Sequence, residues 1–363
     1  MIQQKKERQT NFELLRLLLM LTIPVYHLML YNGVFYMDYH KNVAPGLFLS
    51  SGGAITADYA FIALTSYFLL ETKDRPIIRR FLTFGAQVLT LYVIRFAVIR
   101  SLWGFHSGNW FVEDYILGGA WWFVAPYMVM LLLYPWFNQW MEKMSLCWHR
   151  VLCLGLGICF VANGITLRMN FVNDLIAFLF TYVTMGYLRR KDYQRWILPT
   201  KKRWMAGIYL LGFLVTFFAM AQSTLICSEL FICPLRCFHV PLFIIIVKHL
   251  IGKYAPLQFV MGMSVFFFFR DVQMKQSQMI NRLAKSVFFV FLLHETVMGV
   301  YWYFGKINGQ YPYYSVGAFW GWLLLYLLSC LIVGVLAEAL YTKYLAPLWR
   351  RIIDKICTKF KFQ

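Results

Sequence analysis

Charge is scarce in this chain, and acidic charge is scarcer than basic charge. Only 14% of the 363 residues are charged, whereas 60% are hydrophobic. Soluble domains carry about a quarter charged residues, so this composition excludes an ordinary soluble enzyme. The chain also lacks a tandem repeat, a low-complexity linker and a polar segment long enough for a soluble domain. These absences indicate a membrane protein built from apolar helices.

The eight cysteines do not have the spacing of a metal site. They form no CxxC pair and no Cys/His set suited to zinc, so no resident metal is expected. Cys153 and Cys159 are predicted to be small packing residues within a span. Cys227, Cys233 and Cys237 could form one disulfide in an oxidising compartment, with one thiol left over.

Apolar runs of about 17 to 24 residues predict a single all-α bundle of about ten transmembrane helices. We expect these helices near residues 13–32, 47–70, 81–103, 119–140, 148–165, 173–188, 204–222, 255–270, 286–304 and 317–340. The first run has no small-residue cleavage site and should remain as a span. A membrane domain at 1–345 is thus followed by a basic cytoplasmic tail at 346–363.

Lysine and arginine set the predicted orientation. Of 35 such residues, 26 fall in segments that alternate to one side, six in the opposite loops and three inside spans. Basic loops stay in the cytoplasm, which predicts a multi-pass cell-membrane protein with both termini cytoplasmic. The segment 224–254 is apolar but interrupted by basic side chains. Because a span there would invert every later loop, we predict an external re-entrant or interfacial segment.

The net charge of +19 is therefore mainly a bias toward the cytoplasmic side. A positive inner surface attracts anionic lipids and anionic cofactors. The basic residues follow the alternation of apolar spans, so they do not indicate a nucleic-acid-binding protein, and we expect no nucleic-acid partner.

An arginine and a histidine, Arg16 and His27, lie in the first apolar segment, FELLRLLLMLTIPVYHLMLY. Arg16 and His27 are eleven residues apart, about three helical turns, so they share one helix face at heights about 16 Å apart. Such groups are costly in lipid unless they are paired or functional. His27 is a candidate general base, and Arg16 is suited to hold a phosphate or carboxylate. The alternative is a snorkelling arginine and a hydrogen-bonded packing histidine.

Further candidates lie in or near other spans. Glu13 could orient the guanidinium one turn later, or it could be an exposed first-turn carboxylate. His294 and Glu295 fall near mid-membrane in the ninth predicted span, as functional groups or as buried hydrogen-bonding residues. Asp58 reaches a similar depth. It could orient a histidine, neutralise an arginine such as Arg95, or form a purely structural ion pair.

Aromatic and basic residues mark the two predicted membrane surfaces. Trp121 and Trp122 begin the fourth predicted span on the outside. They could belong to the aromatic belt, or they could form a stacking floor for a sugar ring or acyl group. On the inside, Arg79, Arg80 and the run 189–191 are typical topology determinants, and some of them could receive donor phosphates.

Four segments resemble a known family in the same order along the chain. NFELLRLLLMLTIPVYHL resembles the opening helix of the acyltransferase-3 family of integral membrane acyltransferases, whose signature is an arginine and a histidine separated by ten residues. FIALTSYFLL (61–70), WWFVAPYMVMLLLYPWFN (121–138) and VFFVFLLHETV (287–297) are similar to later family segments. One departure is Thr65-Ser66, which replaces the usual Ser-Gly and alters close backbone packing there.

The resemblance implies a cytoplasmic acyl-CoA donor and transfer to the far side, with His27 catalytic and Arg16 at the donor. We therefore predict an O-acyltransferase, in the simplest case acetyl-CoA-dependent O-acetylation of a cell-envelope polysaccharide or lipid-linked glycan. His27 would deprotonate the acceptor or carry the acyl group covalently. Two alternatives stay open. In a lipid or glycan transporter, Arg16, Asp58 and His294 would line a path, and in a non-catalytic scaffold the polar pairs would be structural.

Overall fold

The computed structural model describes residues 8–31, 48, 50–72, 76–103, 121–166, 171–190, 202–230, 252–303 and 316–360. These ranges are helical and contain no strand. Their α-helices are α1 (Thr10–Tyr31), α2 (Ala54–Leu70), α3 (Ile77–Trp103), α4 (Val124–Lys143), α5 (Leu146–Thr166), α6 (Phe171–Arg189), α7 (Lys202–Leu230), α8 (Pro256–Asp271), α9 (Gln278–Leu283), α10 (Val287–Tyr303), α11 (Val316–Leu340) and α12 (Ala346–Lys359).

The predicted all-α fold is confirmed, and a helix occupies each of the ten predicted spans. Seven stretches of the described helices are long and apolar enough to cross a membrane, whereas α2 is apolar but shorter. Helix length and composition therefore establish a multi-pass membrane protein. Ten crossings and cytoplasmic termini stay predictions.

Three segments differ clearly from the prediction. The helix predicted at 47–70 is α2, which begins at Ala54 after a turn at 52–53. The helix predicted at 204–222 extends to Leu230, so Cys227 lies on it, while Cys233 and Cys237 are outside the described residues. Beyond α11, a π-helical turn (Tyr341–Leu345) leads directly into α12. The predicted basic tail thus begins as a helix. The prediction used only the charge of this segment and not its helical periodicity.

Contacts between helix ends define the two ends of the bundle. Arg189 at the end of α6 forms an ion pair with Glu71, which follows α2, at 3.5 Å. Asn11 at the start of α1 donates to the Phe269 carbonyl near the end of α8 at 2.9 Å. We call this the basic end. The opposite end contains Lys253 and the starts of α2, α4, α6 and α8.

Helices α1 and α10 lie at the centre of the bundle. In the apolar stretch that contains α10, 72% of the residues are buried, against 11% in α5. Phe12, Leu15 and Met20 of α1 are almost fully buried. The cost of burying polar groups is therefore highest on these two helices, and they are the helices that carry the candidate histidines.

A glycine lets helices α2 and α8 approach closely. A Cβ on Gly262 of α8 would lie 2.6 Å from the Tyr59 Cβ of α2 and 2.8 Å from the Thr56 carbonyl oxygen. On α2, the fully buried Ser66 hydroxyl donates to the Ile62 carbonyl at 2.7 Å. Ser66 stands where the family usually has glycine, and its buried hydroxyl is thus satisfied by a hydrogen bond within α2.

The cysteines of α5 have different environments. Cys153 packs against the buried cluster between α5 and α6, as predicted. Cys159 is exposed on the outer face of α5, so the packing prediction is wrong for this residue. The physical reason is that α5 is peripheral and turns most of its side chains away from the bundle.

The predicted topology can be checked by reporters. Helices α7 and α8 are antiparallel neighbours, because Gln258 donates to Thr216 at 3.2 Å and Met261 packs against Gly212. The helix ends that flank residues 231–251 therefore lie at the same end of the bundle. We expect reporters fused at residue 203 and after residue 363 to be cytoplasmic and one placed at residue 252 to be external. An external carboxyl terminus would contradict the ten-span prediction.

Candidate functional site

Two histidines from the central helices meet near the opposite end of the bundle. The Nδ1 of His27 on α1 lies 2.7 Å from the Nε2 of His294 on α10. The two rings are nearly parallel, with centroids 4.9 Å apart. His27 is partly exposed, at 19% of its side chain, while His294 is buried. The inner imidazole therefore supports an outer one that a substrate can reach.

Hydrogen bonding assigns the tautomers of this histidine pair. His294 Nδ1 lies 2.7 Å from the Phe291 carbonyl oxygen, which can only accept. His294 Nδ1 must therefore carry a proton, and in the neutral ring Nε2 has the lone pair. Nε2 then accepts a hydrogen bond from His27 Nδ1. In neutral His27 the proton-accepting nitrogen is consequently Nε2.

Glu295 connects the histidine pair to a buried arginine. Its Oε1 lies 3.5 Å from His27 Nδ1, and its Oε2 lies 3.0 Å from Arg95 Nη2 on α3. The side chains of Glu295 and Arg95 are 2% and 3% exposed. Arg95 thus pairs directly with this carboxylate. The carboxylate can in turn stabilise a positive charge that forms on His27.

A second ion pair, largely shielded from solvent, lies near the opposite end of the bundle. Lys253 Nζ is 2.6 Å from Asp174 Oδ1, and Tyr254 donates to the same oxygen at 2.9 Å. Tyr59 donates to the Lys253 carbonyl oxygen. Lys253 and Arg95 are both within electrostatic range of the His27 imidazole. Each of these two cations is paired with a carboxylate.

The structure differs from one predicted role of Asp58. Arg95, its proposed partner, is paired with Glu295 instead. Asp58 is within electrostatic reach of Lys253 and Asp174. The reason lies in helix position, because Asp58 is near the start of α2, beside the start of α8, whereas Arg95 lies on the α3 face that contacts α10.

A cationic side chain lies over the ring of each of the two tryptophans that precede α4. The Arg95 guanidinium lies 5.0 Å from the centroid of Trp121, and Lys253 Nζ lies 3.9 Å from that of Trp122. Cation–π attraction strengthens as the cation is desolvated. These rings thus help to hold the Arg95 and Lys253 side chains in place. The sequence predicted a position in the aromatic belt or stacking on a sugar or acyl group, but not this role.

Arg16 lies toward the basic end with its own acidic partner. Its Nη1 is 2.6 Å from Glu13 Oε1, while Glu13 Oε2 is 3.3 Å from Arg8 Nη1. The guanidinium also stands over Phe68, 5.4 Å from the ring centroid. Glu13 is only 3% exposed, so the exposed alternative for this carboxylate is wrong. Arg16 remains 28% exposed and can meet an anion.

A cavity of about 330 Å³ opens at the same end of the bundle. It is lined by Arg79, Arg80, Thr83, Phe84, Gln87, Tyr127 and Leu131. The charges of Arg80 and Arg16 both act on Tyr127. The cavity is therefore lined by two arginines of α3, with Arg16 within electrostatic range of its Tyr127, and its chemistry suits an anionic ligand.

The ligand atoms of His27, His294 and Glu295 lie within 4.8 Å of one another, a grouping that could hold a metal ion. The two nitrogens are 2.7 Å apart, which is a hydrogen-bond distance. Two nitrogens bound to one tetrahedral zinc at about 2.1 Å would be about 3.4 Å apart. The observed geometry is thus that of a hydrogen-bonded pair, and metal binding would require the rings to separate.

The structure brings together His27, His294 and Glu295 and places Arg16 with Glu13 about three turns away. Sequence reasoning assigned no role to Asp174 and treated Lys253 as a loop residue. The available signal was Asp174 itself, because a carboxylate within a predicted span indicates a cationic partner.

Comparison with known proteins identifies the family of the chain. No curated protein and no solved structure matches the chain. A family model described as an acyltransferase domain matches residues 9–338. This match includes α1 with Arg16 and His27, α10 with His294 and Glu295, and nearly all of the bundle. Together with the apolar helices, it shows that the chain belongs to the acyltransferase-3 family of membrane acyltransferases.

Proposed function

We propose that this protein transfers an acyl group, in the simplest case acetyl, from acyl-CoA at the basic end to a glycan hydroxyl at the opposite end. The observation that carries the proposal is the hydrogen bond between His27 Nδ1 and His294 Nε2. It makes Nε2 of neutral His27 a proton acceptor on the partly exposed histidine. A general base must present such an atom to its substrate.

In the direct mechanism, His27 Nε2 removes the proton of the acceptor hydroxyl as the oxygen attacks the thioester carbonyl. The carbon–sulfur bond then breaks, and the CoA thiolate takes the proton from His27. Glu295 stabilises the transient imidazolium, and the fields of Arg95 and Lys253 favour the negative charge on the carbonyl oxygen. A covalent acyl-imidazole at the same Nε2, followed by transfer to the acceptor, stays as the alternative.

Donor binding is proposed at the basic end. CoA carries several phosphate charges, and Arg16, Arg79 and Arg80 supply cations beside a cavity. Arginine suits this task because its planar fork binds phosphate through two hydrogen bonds. The acyl end must then reach His27, about 16 Å further along α1.

Acceptor binding is proposed at the opposite end, near Asp58, Trp121 and Trp122. Carboxylates accept hydrogen bonds from sugar hydroxyls, and the tryptophan faces not covered by a cation can stack on a sugar ring. An extracytoplasmic or lipid-linked glycan therefore fits this end, and anionic lipids fit the basic end.

Transfer can be measured in proteoliposomes with acetyl-CoA labelled in the acetyl group. We expect label to enter an added glycan or lipid-linked saccharide, and CoA to copurify with the protein in detergent. Movement of the glycan across the bilayer without incorporation of label would instead support the transporter alternative.

Arg16→Lys is expected to weaken donor use strongly, by about tenfold or more in the donor KM, although the positive charge is kept. Lysine cannot reproduce the bidentate fork, and its ammonium would pair with Glu13 in a different geometry. Initial rates at varied acetyl-CoA concentration provide the measurement, with Arg150→Lys at an exposed arginine of α5 as the matched control. Wild-type donor affinity in both Arg16→Lys and Arg16→Ala would remove Arg16 from the donor site.

A further inference from the structure

The lipid-facing side of α11 continues past the end of the family match at residue 338. Large apolar side chains are exposed at every fourth position along one continuous row, with exposures of 38–59%. They are Trp320, Leu324, Leu328, Ile332, Leu336, Leu340, Tyr344, Leu348 and Ile352. The π turn joins the two helices without interrupting the stripe. The apolar stripe therefore extends onto α12.

The stripe is longer than the hydrocarbon core of a bilayer. From Trp320 to Ile352 there are 32 residues, or about 48 Å of helix. Hydrocarbon measures about 30 Å and the whole bilayer about 40–45 Å. Counting from Trp320, the hydrocarbon ends near Leu340. The exposed Leu348 and Ile352 of α12 consequently lie about 12 and 18 Å of helix past this point, on the headgroup side of the hydrocarbon.

The rest of α12 has the charge that a headgroup layer requires. Five exposed cations lie on or next to it, namely Lys343, Arg350, Arg351, Lys355 and Lys359. Its single carboxylate, Asp354, is paired with Arg79 at 2.7 Å. The helix is fixed to α3, because Trp349 Nε1 donates to Thr90 at 2.9 Å and Ile353 is buried. Its orientation is therefore set by the bundle.

We propose that α12 is a binding surface for the headgroups of anionic phospholipids in the leaflet at the basic end. Its cations attract the lipid phosphates, while the exposed Leu348 and Ile352 supply apolar contacts with the headgroup region. The occupant is a lipid headgroup layer because the apolar stripe of α12 is continuous with the lipid-facing stripe of α11. The proposal concerns a second binding surface and does not depend on acyl transfer.

The test compares phospholipids that differ only in headgroup charge. Full-length protein in mixed micelles is titrated with fluorescently labelled phosphatidylglycerol or phosphatidylcholine of the same acyl chains. Each cation near an anionic surface changes binding about fivefold, so we expect at least a tenfold preference for phosphatidylglycerol. The quadruple variant R350Q/R351Q/K355Q/K359Q should reduce this preference to threefold or less.

Two control variants keep the result interpretable. The variant R350K/R351K retains the charges and should retain the preference. The variant K202Q/R203Q/K275Q/R282Q removes four exposed cations from the basic end outside α12 and should also retain it. Thermal unfolding in the same micelles verifies that each variant is folded. Equal binding of the two lipids by wild type, or equal losses from the two quadruple variants, would overturn the proposal.

Discussion

Replacing His27 by alanine is expected to lower the acyl-transfer rate by about 10² to 10⁴-fold, the usual effect of losing a general base. His27→Gln should be as inactive, because an amide can hydrogen-bond to His294 but cannot accept a proton at neutral pH. Both variants should still fold, since His27 is partly exposed and lies at the end of α1. The measurement is incorporation of labelled acetyl into the glycan, at equal protein amounts.

The matched control is His149→Gln. His149 is another buried histidine, bonded to the Val183 carbonyl at 3.1 Å between α5 and α6, far along the chain from the candidate site. We expect this variant to retain the wild-type rate. If His27→Gln were active, His27 would be a structural hydrogen-bonding residue, and the base would have to be sought elsewhere, first at His294.

His294 is expected to act as a positioning residue. Its Nε2 fixes the proton of His27 on Nδ1, so His294→Gln, which can still accept through its amide oxygen, should retain more activity than His294→Leu. A purely structural role would affect both variants through stability alone. Comparing kcat at matched folded fractions separates the two roles.

The candidate site could be predicted from sequence where its members share one helix. Arg16 and His27 lie on α1, and Glu13 precedes Arg16 by one turn, so helical geometry alone relates the three residues. His294 and Glu295 were recognised because ionisable residues are uncommon inside spans. Their contact with His27 depends on how α1 and α10 are rotated against each other, which no local pattern specifies.

The partners of the buried cations could not be predicted for the same reason. Two carboxylates, Asp58 and Glu295, had predicted depths in the membrane similar to that of Arg95. Depth was the only sequence-based criterion for choosing between them. Packing distinguishes them, since α3 contacts α10 and places Arg95 against Glu295. Asp174 and Lys253 meet because the starts of α6 and α8 adjoin at one end of the bundle. Such pairs are set by tertiary contacts between distant segments.

The Arg95–Glu295 ion pair affects both the stability of the bundle and the candidate catalytic site. Burying Arg95 and Glu295 is costly, and their mutual attraction offsets the desolvation only while both partners are present. Their pairing leaves Glu295 Oε1 near His27. The same ion pair thus supports the fold at the centre of the bundle and keeps a carboxylate beside the candidate base, so the two contributions must be separated experimentally.

Arg95→Met is expected to destabilise the protein by about 3–5 kcal/mol, because it leaves the Glu295 carboxylate buried without its arginine. The double variant Arg95→Met/Glu295→Gln removes both charges and should recover most of that loss. Equilibrium unfolding in mixed micelles provides the measurement. As a control, Asp354→Asn breaks an ion pair whose partners are both 48% exposed and should cost at most about 1 kcal/mol.

The double variant also separates stability from chemistry. If Glu295 stabilises the imidazolium, restored folding should not restore the rate, and acyl transfer should stay well below that of wild type. Full activity in the recovered double variant would show that the ion pair is structural only. An Arg95→Met variant as stable as wild type would instead contradict the stabilising role of the Arg95–Glu295 pair. A buried carboxylate that loses its arginine should lower the free energy of unfolding.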